Sequence, residues 1–290
     1  MIANLELFQI RKQFCVLNKY CTFALFNTLK SENQRFTMKY ITFTRAYAFL
    51  ALSFLFCACG GNSTTDNKNI GTKFFFAPYG TPVLDGSSSD EAWENAEWYA
   101  LNQNWLPPSP PDSLDFKGRF KVIWDENMLY ILAEITDDTL VDTHSDGLVQ
   151  YFDDDCLEVF VDEDASGGDH AYNYNAFAYH IALDNKVVDI APDSSKRYYD
   201  DHCISLRNTV GNISVWEVGV KIFDGKNYVD GGDNIPKTLK QMKKIGFALA
   251  YCDNDHSPER EHFMGSMPIE GQDKNRAWQD ASLFGILELK

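Results

Sequence analysis

The pattern of this 290-residue chain predicts an all-β fold. The expected architecture is an antiparallel β-sandwich, immunoglobulin- or jelly-roll-like, with two packed sheets and one or two short helices. Three observations carry that expectation. Short runs of alternating apolar and polar residues recur along the chain, turn residues separate them, and helical periodicity is sparse.

The folded domain begins near Phe74. Asp90 to Ala96 reads as one or two helical turns with Ser89 as the cap. Pro107 to Asp112 is a proline-rich loop that no central strand can contain. Phe120, Val122 and Trp124 alternate with Lys121 and Ile123, and Asp125-Glu126-Asn127 turns the chain. Leu129 to Thr136 returns with Leu129, Ile131, Ala133 and Ile135 on one face, which defines a hairpin. Leu157, Val159 and Val161 form one face of the next strand, while Cys156, Glu158, Phe160 and Asp162 form the other. Phe177 to Leu183 and Val187 to Ile190 flank Asp184-Asn185, a second hairpin signal. Trp216, Val218, Val220 and Ile222 alternate with Glu217, Gly219 and Lys221. Pro236 to Lys244 reads as another short helix. Ile245 to Tyr251 and Phe284 to Leu289 complete the strands, and no repeat of solenoid period is present.

The N-terminal quarter has a different character. Met38-Lys39 and Arg45 form a basic flank, and the apolar run from Ala46 to Ala58 is too short to span a bilayer. Small Ala58 precedes Cys59. Residues 38–58 therefore read as a lipoprotein signal peptide, with Cys59 as the lipidated first residue; an ordinary secretory signal cut nearby is the alternative. Residues 1–37 are expected to be an over-long gene start, disordered and outside the fold. Residues 59–73, rich in Gly, Asn, Ser and Thr, read as a flexible tether, and 74–290 as the folded domain. The expected location is the cell envelope, at the outer membrane of a Gram-negative bacterium, held there by the lipid alone.

The net charge is −16. Beyond residue 58 the chain carries 19 Lys and Arg against 40 Asp and Glu. Such a surface repels phosphate backbones and argues against a nucleic-acid partner, while it suits neutral ligands and divalent cations. Past Cys59 only Cys156, Cys203 and Cys252 remain, an odd number that argues against a disulfide framework. One bridge stays open. Cys156, inside an apolar strand, reads as a buried free thiol.

Acidic clusters recur at Asp137-Asp138, Asp153 to Asp155, Asp162 to Asp164, Asp169 and Asp253 to Asp255. The run from Asp162 opens like a calcium loop, but Asn173 stands where its last glutamate belongs, so it is no EF-hand. No G-x-S-x-G, H-E-x-x-H or C-x-x-C is present. Glu158 and Asp162 lie four residues apart on one strand, so roughly 13 Å separates their Cα atoms. That spacing disfavours a glycosidase pair, whose carboxyl groups stand about 5–9.5 Å apart.

Six segments taken in order resemble the family 9 carbohydrate-binding modules. They are Tyr79-Gly-Thr-Pro-Val-Leu-Asp85-Gly, Asp90-Glu-Ala-Trp93, Val122 to Ala133, Asp155-Cys-Leu-Glu158-Val-Phe-Val-Asp162, Ile245-Gly-Phe247 and Trp278-Gln-Asp280-Ala-Ser-Leu-Phe284-Gly285. The resemblance spans residues 77–290. It implies a β-sandwich that clamps the end of a polysaccharide chain, such as xylan, between two aromatic rings. The second ring aligns with Trp278 and the first with Phe152, beside Tyr151. The binding carboxylate aligns with Glu158, and the family's arginine falls near His180. The resemblance also implies structural calcium, with Asp162, Asp164 and Asp169 as the expected ligands, against the alternative of a solvated acidic surface.

The residues themselves support this assignment. A pyranose offers an apolar C–H face to an aromatic ring and hydroxyls to polar neighbours. Trp278 sits in a polar loop, Asn275 to Asp280, where a core tryptophan is out of place. Trp124 and Trp216 lie on apolar faces and read as core. Trp93 is expected to pack the short helix, and Trp105 reads equally as a platform or a loop anchor. Phe152 and Tyr151 read either as ligand contacts or as the core's edge. Glu158, a carboxylate in an apolar strand, needs a ligand hydroxyl, a metal, or a structural partner such as Arg119 or Lys221. The expected function is non-catalytic carbohydrate binding. The alternatives are a glycoside hydrolase using acids from separate loops, and a haem sandwich using His180 with Met264 or Met267.

Overall fold

A computed structural model describes residues 73–106, 109–144 and 146–290. The signal peptide, Cys59 and nearly all of the tether lie outside the described residues, as do Pro107 and Pro108.

The alternating segments fold as two packed sheets. The five-stranded sheet runs β10 (Cys203–Val210), β11 (Ile213–Val220), β5 (Leu129–Asp137), β4 (Phe116–Trp124), β2 (Tyr99–Leu101), antiparallel throughout. The larger sheet runs β1 (Phe74–Ala77), β14 (Gly285–Leu289), β12 (Lys244–Asp253), β6 (Cys156–Asp162), β7 (Phe177–Ala182), β8 (Val187–Ile190), β9 (Lys196–Tyr198). The short β13 (His262–Gly265) adds to the C-terminal half of β12, and β3 (Gln103–Asn104) adds to β13. One pair departs from the antiparallel expectation, because β1 lies parallel to β14.

Both predicted hairpins form. Asp125 Oδ1 accepts the backbone N–H groups of Asn127 and Met128, at 2.8 and 3.0 Å, which closes the β4–β5 turn. Asn185, at φ 68°, supplies the left-handed residue of the β7–β8 turn, a conformation that asparagine tolerates. Leu129, Ile131, Ala133 and Ile135 all enter the central core, with Trp216, Val218, Leu157, Val159, Tyr179 and Leu249. Each such side chain adds about 1.5–3 kcal/mol by leaving water, so the period-two pattern fixes which face turns inward. Trp124 and Trp216 are core, as read.

The outer face of the five-stranded sheet carries a satellite cluster of Trp93, Ala96, Ile123, Tyr130 and Leu132. Trp93 Nε1 donates to Glu217 Oε1 at 3.0 Å, and Glu217 Oε2 accepts the N–H groups of Asp85 and Gly86. The outer face of the larger sheet is different. Cys156, Glu158 and Phe160 of β6 share it with Ala178 and His180 of β7 and with Ala248, Ala250 and Cys252 of β12. Alanines make part of this face shallow. Loop aromatics roof the rest: Trp105 and Phe284 pack on Phe160 with ring centroids 5.9 and 5.4 Å away.

Two local readings are corrected, and a third that stood open is resolved. The expected helix from Pro236 to Lys244 is an extended loop and turn as far as Lys243, and Lys244 already begins β12. Its backbone is spent on distant partners, with Lys237 N–H bonded to Ile222 O and Leu239 N–H to Glu126 O, and Met242 turns at φ 69°. The first helical turn is a 3-10 helix, Glu91–Trp93, capped by the carboxylate of Asp90 rather than by Ser89. Trp105 is a loop anchor, 1% exposed, whose Nε1 donates to Met267 O at 2.6 Å.

Candidate functional site

A pocket of about 340 Å³ opens on the shallow face of the larger sheet. Trp278, Phe152, Tyr151, Glu158 and His180 all line it, so the structure gathers the five expected ligand contacts in one place. Strand register explains the floor, because Glu158 of β6 lies directly opposite His180 of β7. Tyr151 is buried and packs edge-on against His180, with centroids 4.6 Å apart. Phe152, 37% exposed, stands at the mouth.

Trp278 is half-buried on the loop before β14. That loop is tied down from one side. His170 Nε2 donates to Ala277 O at 2.7 Å, and His170 N–H donates to Gln279 O at 2.8 Å. Arg276 bonds the carbonyls of Asp273 and Glu270, which closes the loop on itself. The indole is therefore held by backbone pinning rather than by burial.

Glu158 is 1% exposed, and neither proposed structural partner reaches it. Arg119 pairs with Glu134 across β4–β5, and Lys221 donates to Asp201 O. The nearest cationic group is His180, whose Nε2 lies 3.2 Å from Glu158 Oε1. The contact is close enough for an ion pair but too poorly directed for a hydrogen bond, and both carboxylate oxygens stay without a hydrogen-bond donor among the described residues. Burial is the largest influence and opposes the charged imidazole, yet Glu158 together with Cys252 and Asp189 raises the His180 pKa.

Sequence reading missed Arg260, Asn275 and His170. His180 stands where the family's arginine is expected, but a guanidinium is present from another element. Arg260, from the loop between β12 and β13, lines the pocket 5.6 Å from the Phe152 ring centroid. Its Nη1 donates to Cys252 Sγ at 2.9 Å and its Nη2 to Asn275 Oδ1 at 3.4 Å. No local pattern marks such residues, because they sit in polar loops and meet only through the fold. The departure at His180 was the one available hint.

Of the expected metal ligands, Asp162 and Asp164 lie side by side, but Asp169 does not join them in a three-ligand cluster among the described residues. Asp162 is buried, with Oδ2 accepting Gly167 N–H at 2.8 Å. Asp164 is exposed and already pairs with Lys226 at 2.6 Å, while Asp169 is exposed on the following loop. Another set is better suited. Asp137, Asp155 and Asp253, all buried, bring ligand oxygens within 4.8 Å of one another, and Asp115, Asp138 and Asp255 form an adjoining trio. One oxygen each of Asp115, Asp253 and Asp255 has no partner, and His262 is the sole cationic neighbour in an ion pair among the described residues. Burial pushes Asp155 up to about 9, Asp253 to about 8 and Asp137 to about 6, with the neighbouring carboxylates adding to the rise. An all-oxygen acidic set without Lys or Arg fits a hard divalent cation.

The haem alternative finds no geometry here. Phe263 lines the pocket, so Met264 beside it on β13 points to the opposite face, and Met264 and Met267 are both buried in the central core.

A two-sheet sandwich whose aromatic-walled pocket also presents a carboxylate and a guanidinium is a carbohydrate-binding domain in form. Residues 84–290 match the family described as "Carbohydrate family 9 binding domain-like", and the chain belongs to that family. Its function is non-catalytic carbohydrate binding. The chain is 28% identical over 218 residues to endo-1,4-beta-xylanase A of Thermotoga maritima, covering 73% of this chain and 17% of that protein. It is 29% identical over 137 residues to endo-1,4-beta-xylanase A of Thermoanaerobacterium saccharolyticum, covering 43% of this chain and 11% of that protein. It is 24% identical over 240 residues to exoglucanase XynX of Acetivibrio thermocellus, covering 79% and 19%. The chain thus spans less than a fifth of the length of these relatives, and the hydrolase alternative loses its support. The fold is similar to that of a family 9 carbohydrate-binding module from Caldicellulosiruptor kristjanssonii, solved with cellotriose and with glucose. Each match has a TM-score of 0.56 and 23% identity; the cellotriose complex covers 75% of this chain and 94% of that one.

Proposed function

We propose that the pocket holds the end of a plant-polysaccharide chain, a cello- or xylo-oligosaccharide, between the rings of Trp278 and Phe152. The observation that carries this reading is the pairing of those rings, at the wall and mouth, with an unsatisfied Glu158 carboxylate on the floor. The rings cover the C–H faces of a pyranose. Glu158 accepts from its hydroxyls, and Arg260 and Asn275 supply further polar contacts. Relatives that are xylanases, and a fold neighbour solved with cellotriose, support this ligand class. The module acts at the cell envelope, exported and lipid-anchored through Cys59, where it keeps oligosaccharide ends near degrading or importing proteins.

Calcium, where bound, is held by Asp137, Asp155 and Asp253 together with Asp115, Asp138 and Asp255 rather than by the Asp162 loop. It neutralises the carboxylates that join the ends of β5 and β12 to the start of β6. Calorimetric titration with cellotriose and xylotriose, free and blocked at the chain end, tests the ligand class. Binding by the free forms and loss on blocking supports chain-end capture; equal binding of blocked and free forms contradicts it.

A further inference from the structure

We propose that Glu158, His180 and Cys252 form a Zn²⁺ site in the floor of the sugar pocket, with one coordination position open to the ligand. The proposal rests on the carbohydrate reading of the pocket and adds a metal to it.

The three side chains come from the adjacent strands β6, β7 and β12, and offer one oxygen, one nitrogen and one sulfur within 4.8 Å of one another. Bonds of 2.0–2.3 Å in a tetrahedral zinc site place ligand atoms about 3.2–3.8 Å apart, so little closure is needed. All three side chains are buried, and both Glu158 oxygens lack a hydrogen-bond donor among the described residues. A bare carboxylate at this depth calls for a cation.

His180 indicates what kind of cation. Its Nδ1 lies 3.1 Å from Ala178 O, and a carbonyl only accepts, so the Nδ1 proton is committed to the backbone. In the neutral form of the ring, the lone pair of Nε2 faces the Glu158 carboxylate, 3.2 Å away. Two lone pairs facing each other at that distance repel unless a proton or a metal lies between them. A backbone carbonyl holding one imidazole nitrogen so that the other faces a metal is a common orienting device.

Cys252 completes the set. Its Sγ accepts from Arg260 Nη1 at 2.9 Å, so a fixed positive charge lies beside the sulfur. Thiolate is the form that binds metal. A guanidinium donating to sulfur remains compatible with coordination as an outer contact. Sulfur with imidazole and one carboxylate matches zinc and not calcium, which takes oxygens. Glu158 and His180 line the pocket while Cys252 lies buried behind them, so a sugar hydroxyl at the floor would complete the sphere in place of water.

The test uses the full chain, stripped with EDTA, and needs no sugar. Zn²⁺ should bind at one equivalent in the presence of excess Ca²⁺. Co²⁺ should give a near-ultraviolet sulfur-to-metal band. Cys252→Ser should abolish that band, and His180→Ala should weaken Zn²⁺ binding at least about 100-fold. No stoichiometric Zn²⁺, or a Co²⁺ spectrum without the sulfur band in the parent protein, overturns the site whether or not the variants fold. Oligosaccharide titration of stripped protein separates the two readings. Sugar binding without zinc binding removes only the metal, and zinc binding without sugar binding removes only the carbohydrate assignment.

Discussion

Glu158 and Glu217 are both buried strand carboxylates, 1% and 0% exposed, yet only Glu217 is satisfied. Glu217 accepts from Trp93 Nε1 and from the N–H groups of Asp85, Gly86 and Ser87. Glu158 accepts none among the described residues. One carboxylate therefore organises the fold, while the other is held ready for something from outside. Glu217→Ala strands several buried donors and should cost about 3 kcal/mol or more, read as a lowered midpoint in denaturant. Glu158→Gln removes a buried carboxylate that accepts no hydrogen bond, so the midpoint should stay or rise while oligosaccharide affinity falls at least tenfold. A Glu158→Gln protein that loses stability and keeps affinity would reverse these roles.

The acidic pocket of Asp137, Asp155 and Asp253 predicts a response to metal removal. Chelator should lower the thermal midpoint by several degrees, and Ca²⁺ should restore it. Asp253→Asn should blunt the response, whereas Asp164→Asn should leave it intact, because Asp164 is already paired with Lys226. Equal responses of the two variants would return the cation to the loop after β6.

His202 sets an acid limit on the fold. It is 2% exposed, with its two ring nitrogens 2.8 Å from Tyr179 Oη and 2.9 Å from Tyr228 Oη. A neutral imidazole serves both hydroxyls by donating to one and accepting from the other. Burial lowers its pKa from 6.5 to about 4. The folded value lies below the unfolded one, so this stabilisation is complete above pH 6.5 and is lost as the pH falls toward 4. Its size is at most roughly 3 kcal/mol. His202→Gln should be less stable than the parent at pH 7, with the difference shrinking by pH 4, as read by denaturant unfolding at each pH. A pH-independent difference would contradict this.

Gly265 on β13 leaves room for the Trp105 indole. A Cβ at this position would lie 2.0 Å from Trp105 Cε2. Gly265→Ala should displace the indole and destabilise the fold by about 2–4 kcal/mol, with a change in tryptophan emission. A neutral result would mean that Trp105 is not anchored there.

Much of the sandwich was legible because strands buried on one face must alternate, as Leu129 to Ile135 do. Strands β1, β2, β3, β9, β10 and β13 escaped because they are short or lie near the margin of a sheet, where Ile204 and Leu206 stay exposed and the pattern loses contrast. The loop at 236–243 was misread because local composition does not show that its N–H groups go to Ile222 and Glu126. Trp278 was legible as a large ring in a polar loop. Arg260, His170 and the Asp137–Asp155–Asp253 pocket were not, since each acquires its meaning from a neighbour distant in sequence. Asp162, Asp164 and Asp169 attracted attention because they are close along the chain, which does not bring all three carboxylates to one point.

The most direct test is calorimetric titration of the parent and Trp278→Ala proteins with cellotriose and xylotriose, alongside their thermal midpoints. The account predicts that removing the indole weakens binding roughly tenfold to a hundredfold, with the midpoint within about 2 °C of the parent, because the loop is pinned by His170 and Arg276 rather than by the ring. A Trp278→Ala protein that binds these oligosaccharides as tightly as the parent would contradict it.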